Sequence, residues 1–68
     1  MEVDVHKLKR LRADRVLSQR ELAREANLAY GTVWRIENGF PDAHTNTVRK
    51  LAGVLGVEPK ELLKREEN

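Results

Sequence analysis

The chain has no cysteine, which excludes disulfides and cysteine-ligated metals. His6 and His44 lie far apart with little carboxylate support, so they read as two surface histidines and no metal site is expected. No apolar run approaches the roughly 20 residues that a membrane span requires. The opening MEVDVHK lacks the basic-then-apolar pattern of a secretory signal, so a cytoplasmic protein is expected. Strand-like alternation, internal repeats and linker-like stretches are also missing. Helices are what remains. No nucleophile–base pair or phosphate loop stands out, and Glu61, Glu66 and Glu67 read most simply as a solvated helix end. Neither an enzyme nor a cofactor is expected.

The 68 residues make one domain, spanning 1–68. A domain of this size buries only roughly 60% of its unfolded surface, so its core is small. A hydrophobic content of 40% suffices for a folded unit, and 35% charged residues imply a well-solvated surface.

The most informative stretch runs from Leu17 to Gly39, LSQRELAREANLAYGTVWRIENG. Ser18-Gln19-Arg20-Glu21 forms a capping box, in which hydroxyl and carboxylate each accept from the other residue's backbone N–H. Leu22, Ala23 and Ala26 continue as an apolar stripe with helical spacing. Asn27 is a natural stop, because Asn tolerates the left-handed conformation that ends many helices. A second period follows in Val33 and Ile36, and Asn38-Gly39 closes it. Two helices of under ten residues around a tight turn have the form of a helix-turn-helix.

The flanking segments fit the same architecture. Asp4 is a candidate N-cap, with Val3 and Leu8 placed as a hydrophobic staple. A first helix buries Val5, Leu8 and Leu11 and ends near Arg15. Val16 is β-branched and disfavours a left-handed cap, so another form of turn is expected there. Phe40 to His44 reads as a loop. A fourth helix over about Thr45–Leu55 buries Val48, Leu51, Ala52 and Leu55, with Gly56-Val57 as its stop. Pro59 opens a short fifth helix holding Leu62 and Leu63, and the tail Arg65-Glu66-Glu67-Asn68 is expected to fray. The expected fold is all-α, a compact bundle of five short helices.

Net charge is only +2, but its distribution is uneven. Residues 1–39 carry Lys7, Lys9, Arg10, Arg12, Arg15, Arg20, Arg24 and Arg35 against six acids, while residues 40–68 balance five against five. The excess lies in the half with the helix-turn-helix, as an electrostatic footprint on phosphate requires.

The segment resembles the helix-turn-helix of the phage-repressor and Cro type of transcriptional regulator. Leu17, Ser18, Gln19, Glu21, Leu22, Ala23, Leu28, Thr32, Val33, Ile36, Glu37, Asn38 and Gly39 carry the likeness, which extends from about Leu8 to Leu62. The resemblance implies a lambda-repressor-like domain that binds double-stranded DNA sequence-specifically, with residues of about 30–37 as its recognition helix. Val33 and Ile36 point inward, so Tyr30, Gly31, Trp34 and Arg35 lie toward the opposite side. Tyr30, Gly31 and Arg35 occupy the family's main base-facing positions. Arg35 is the leading candidate, since a guanidinium can donate two hydrogen bonds to guanine O6 and N7. Tyr30 offers a hydroxyl to a base edge or phosphate, or its ring to a thymine methyl. Gly31 either admits a close backbone approach or leaves its base unread. The Thr32 hydroxyl can reach a phosphate or a base, or cap locally. Trp34 either lies against sugar and phosphate or folds onto neighbouring side chains.

The resemblance also assigns Gln19 to a phosphate and to bracing the recognition helix, and Asn38 to the sugar-phosphate backbone. Arg12 and Glu37 match a pair that forms an internal salt bridge. Two departures bear on affinity. Ala29 stands where a capping Ser or Thr is usual, a loss of roughly 1 kcal/mol, and Phe40-Pro41-Asp42-Ala43 contains no Lys or Arg.

The expected function is a transcriptional regulator acting at the nucleoid as a homodimer. Adjacent Leu62 and Leu63 cannot both face one small core, which marks them as candidate dimer contacts. The alternative is an antitoxin-like or other protein-interaction module, because such proteins share this fold.

Overall fold

The computed structural model describes residues 1–65. In chain order they form α1 (Val5–Asp14), α2 (Gln19–Glu25), α3 (Tyr30–Glu37), α4 (Thr45–Leu55) and a 3-10 turn at Pro59–Leu62. The expectation for Glu66, Glu67 and Asn68 lies outside the described residues.

The first two helices start on side-chain caps. Asp4 Oδ1 accepts from the Lys7 N–H at 3.1 Å. Ser18 Oγ accepts from the Glu21 N–H at 3.0 Å, and Glu21 Oε1 accepts from the Ser18 N–H at 2.8 Å. Hydrogen bonding from Ser18, backbone first and hydroxyl second, holds the Glu21 carboxyl below its ordinary value. α3 and α4 start on Ala29 and His44 with no side-chain cap.

All four α-helices stop in one way. The N–H groups of Leu17, Leu28, Phe40 and Val57 donate to the carbonyls of Arg12, Ala23, Arg35 and Ala52, five residues back. The residue just before each donor is left-handed: Val16, Asn27, Gly39 and Gly56. Asn and Gly take that conformation at little cost. Val16 does not, and the expectation of a different turn is corrected by its φ of 55°. Tertiary demands outweigh the local preference here. The turn satisfies the Ala13 and Arg12 carbonyls, and Arg12 Nη1 donates to the Leu17 carbonyl at 2.8 Å. The Val16 side chain is left 86% exposed.

Each helix contributes one stripe to a single core. Leu8 comes from α1, Leu22 and Ala23 from α2, Val33 and Ile36 from α3, and Val48, Leu51, Ala52 and Leu55 from α4. Val5 and Leu11 are only half-buried, so Leu8 anchors α1. Val3 and Leu62 close the far side.

The chain ends depart most from expectation. Pro59–Leu62 is one turn of 3-10 helix, not a fifth α-helix. Leu63 is already extended, with φ −90° and ψ 145°. The reason is backbone pairing with the first residues. Asp4 N–H donates to the Leu62 carbonyl at 2.7 Å and Lys64 N–H to the Glu2 carbonyl at 2.9 Å. Val3 and Leu63 thus form an isolated antiparallel bridge, and Glu2 forms a second with Asp42. Leu62 is fully buried and Leu63 half-buried. Among the described residues no helix is long and apolar enough to cross a membrane.

Candidate nucleic-acid interface

The last residue of α3 holds the geometry together. Glu37 is the single buried charged residue among those described, and its carboxylate is withdrawn from solvent. Arg12 of α1 donates from Nε to Oε2 at 2.8 Å and from Nη2 to Oε1 at 2.9 Å, a bidentate pair. Gln19 of α2 donates from Nε2 to the same Oε1 at 2.9 Å. One carboxylate therefore ties three helices. A buried charge is tolerated only when paired and hydrogen-bonded, and no buried side-chain polar atom among the described residues lacks a partner.

With its base fixed there and Val33 and Ile36 buried, α3 turns a row of side chains outward. Gly31 and Arg35 are exposed, Tyr30 is 36% exposed and Trp34 44% exposed. A Cβ built on Gly31 meets nothing within 4 Å, so packing inside the protein does not demand glycine there. Thr32 is half-buried and lines, with Arg35, Phe40, Asp42 and Thr47, an open groove of about 210 Å³. Asn38 Nδ2 donates to the Trp34 carbonyl at 2.8 Å.

A buried bracket thus holds a short helix from behind and leaves a row of its residues uncovered. The helix-turn-helix domain family matches residues 5–65. The chain belongs to that family. The helix-turn-helix comprises α2 and α3, and α3 is its recognition helix. The chain is a DNA-binding regulator of transcription. Among solved structures it is similar to the restriction-modification controller protein C.AhdI from Aeromonas hydrophila, at 34% identity and a TM-score of 0.79. That likeness covers 87% of this chain and 89% of the other. No curated protein matches.

The fold brings Arg12, Gln19 and Glu37 into one cluster and sets Tyr30, Gly31, Trp34, Arg35 and Asn38 on the surface. Gln19 uses one amide hydrogen on Glu37 and keeps a second. Leu62 and Leu63 stand apart from this surface, at the clasp with Val3. The residue that sequence reasoning passed over is Arg20. Its guanidinium carbon lies 4.2 Å from the centroid of the Tyr30 ring. The two stand ten positions apart, and the only local signal is an Arg in the first turn of a helix, where acids are favoured.

Proposed function

We propose that the recognition helix enters the major groove of a specific operator and reads it with Tyr30, Gly31, Thr32 and Arg35. The observation that carries this reading is the Glu37 cluster. It fixes α3 to α1 and α2 from behind, so the outward row is presented in one orientation. Preorganisation of that kind lowers the ordering cost of binding. Arg35, exposed and free of any ion pair among the described residues, is suited to a guanine edge. Gln19, through its second amide hydrogen, and Asn38 take phosphate and sugar in this reading. Trp34 supplies an exposed ring beside them.

A homodimer on an inverted repeat is the assembly this reading favours. Leu62 is fully buried within one chain, so the contact rests on Leu63 and its surroundings. Met1, Val48, Pro59 and Leu63 share a mainly apolar surface depression there. A two-fold pair would set its recognition helices about 34 Å apart, giving half-site centres roughly 10 base pairs apart. The similar Aeromonas protein is a restriction-modification controller, and we assign this chain the corresponding task of controlling transcription from its own operator, in the cytoplasm at the nucleoid.

Fluorescence anisotropy on duplex DNA over a range of salt concentrations tests the proposal. The logarithm of the association constant should fall linearly with that of salt, by about 0.9 for each phosphate neutralised. An affinity unchanged between low and physiological salt would contradict it.

A further inference from the structure

The Arg20 guanidinium lies over an aromatic ring. Among the described residues it makes no ion pair and no side-chain hydrogen bond. It is exposed in the first turn of α2, the end of a helix that disfavours a cation, and it precedes Arg24 by one turn, a like-charge spacing. Its guanidinium carbon lies over the Tyr30 ring, 4.2 Å from the centroid. A cation over a ring face is attracted by the ring quadrupole. The ring's hydroxyl and the guanidinium's outward N–H donors stay available for a ligand, because an arginine carries five donors in a rigid plane.

We propose that Arg20 and Tyr30 meet DNA as one stacked unit, in which Arg20 holds the Tyr30 ring for base readout and itself binds a backbone phosphate. The inference rests on the docking of α3 proposed above and extends it to a residue outside the recognition helix. Arg20 directly follows Gln19, whose amide donates to Glu37, so the stack rests on a helix that this cluster ties to α3. An anion docking beside Tyr30 would relieve both local conflicts at Arg20. Stacking also limits the rotamers that Tyr30 samples before binding, which reduces the ordering cost when it meets a base.

The test uses a duplex selected from random sequence by the wild-type protein, with Arg20→Ala, Arg20→Lys, Tyr30→Ala and the Arg20→Ala/Tyr30→Ala double variant. Arg20→Ala should weaken binding and reduce the salt slope by about 0.9. Arg20→Lys keeps a charge for the phosphate but not the planar stack. It should restore the slope while relaxing the preference at the Tyr30 base pair by roughly two- to fivefold. The double variant should lose less than the two single losses combined. An unchanged slope in Arg20→Ala, or simply additive losses, overturns the proposal. Where the wild-type slope is steep and that of Arg20→Ala equals it, the fault lies in this inference alone. A flat wild-type slope removes the docking reading beneath it as well.

Discussion

Arg12 and Glu37 stand 25 residues apart and meet through two parallel N–H···O bonds, at 2.8 and 2.9 Å, around a carboxylate that solvent does not reach. The pair joins the first helix to the last residue of the recognition helix, and Gln19 shares one of its oxygens. Stability and the orientation of α3 therefore depend on the same few atoms.

Removing one partner of this pair should be severe. Glu37→Ala strands the Arg12 guanidinium and the Gln19 amide, and breaking a buried pair costs about 3–5 kcal/mol. A small domain has only about 5–15 kcal/mol in all. The paired replacement Arg12→Met with Glu37→Leu should recover much of the loss while loosening the recognition helix, so that it folds but binds DNA less well. Urea unfolding checks the first part and duplex binding the second. A Glu37→Ala loss below about 1 kcal/mol, the range of an exposed pair, would mean that the cluster contributes little.

Val16 is the strained residue of the fold. A β-branched side chain in left-handed geometry costs on the order of 1–2 kcal/mol, and at 86% exposure its removal forfeits little burial. Val16→Gly relieves the strain but adds freedom to the unfolded chain, worth roughly 0.5–1 kcal/mol. The net expectation is a gain of about 0.5 kcal/mol, a rise of a few degrees in Tm. Val16→Asn should behave similarly. Thermal denaturation decides it, and a lower Tm in both variants would refute the strain argument.

Substitution of Gly31 should separate folding from binding. Because nothing lies within 4 Å of a Cβ placed there, Gly31→Ala should leave the fold intact and stabilise it by up to about 1 kcal/mol. DNA affinity should nevertheless fall, because the added methyl meets whatever approaches the outer face of α3. Unfolding and binding measured on one preparation would show opposite signs. A gain or no change in affinity would mean that Gly31 stands clear of DNA.

Acid should weaken the start of α2. The Glu21 carboxyl is held below its ordinary value of 4.5 by bonds from Ser18. Its contribution is complete above that value and is lost as pH falls through the lowered one. In Glu21→Gln, stability measured by denaturant titration should fall less steeply below about pH 4.5 than in the wild type. Parallel curves for the two proteins would contradict this.

What sequence reading captures here is local. The Ser18–Glu21 box, the stops at Asn27, Gly39 and Gly56, and the buried stripe of α4 all rest on residues within a turn of one another. What it misses is made at a distance. The bridge of Val3 to Leu63 brings the two ends together through backbone groups, over stretches too short to show any alternation. That pairing pulls Leu63 into an extended conformation and limits Pro59–Leu62 to a single 3-10 turn. Val16 takes a conformation its side chain disfavours because Leu17 must meet Arg12. Arg20 over Tyr30 is likewise a product of how two helices are set together.

In the proposed function α3 reads base sequence, with Arg35 its principal contact. Selection of binding sites from random duplex DNA, run in parallel for the wild type and Arg35→Ala, tests it most directly. The wild type should enrich an inverted repeat with half-site centres roughly 10 base pairs apart. Arg35→Ala should lose the preference at one base pair in each half-site, with a cost of about 1–3 kcal/mol on the wild-type operator. No enrichment by the wild type, or an unchanged pattern of preferences in Arg35→Ala, would contradict the account.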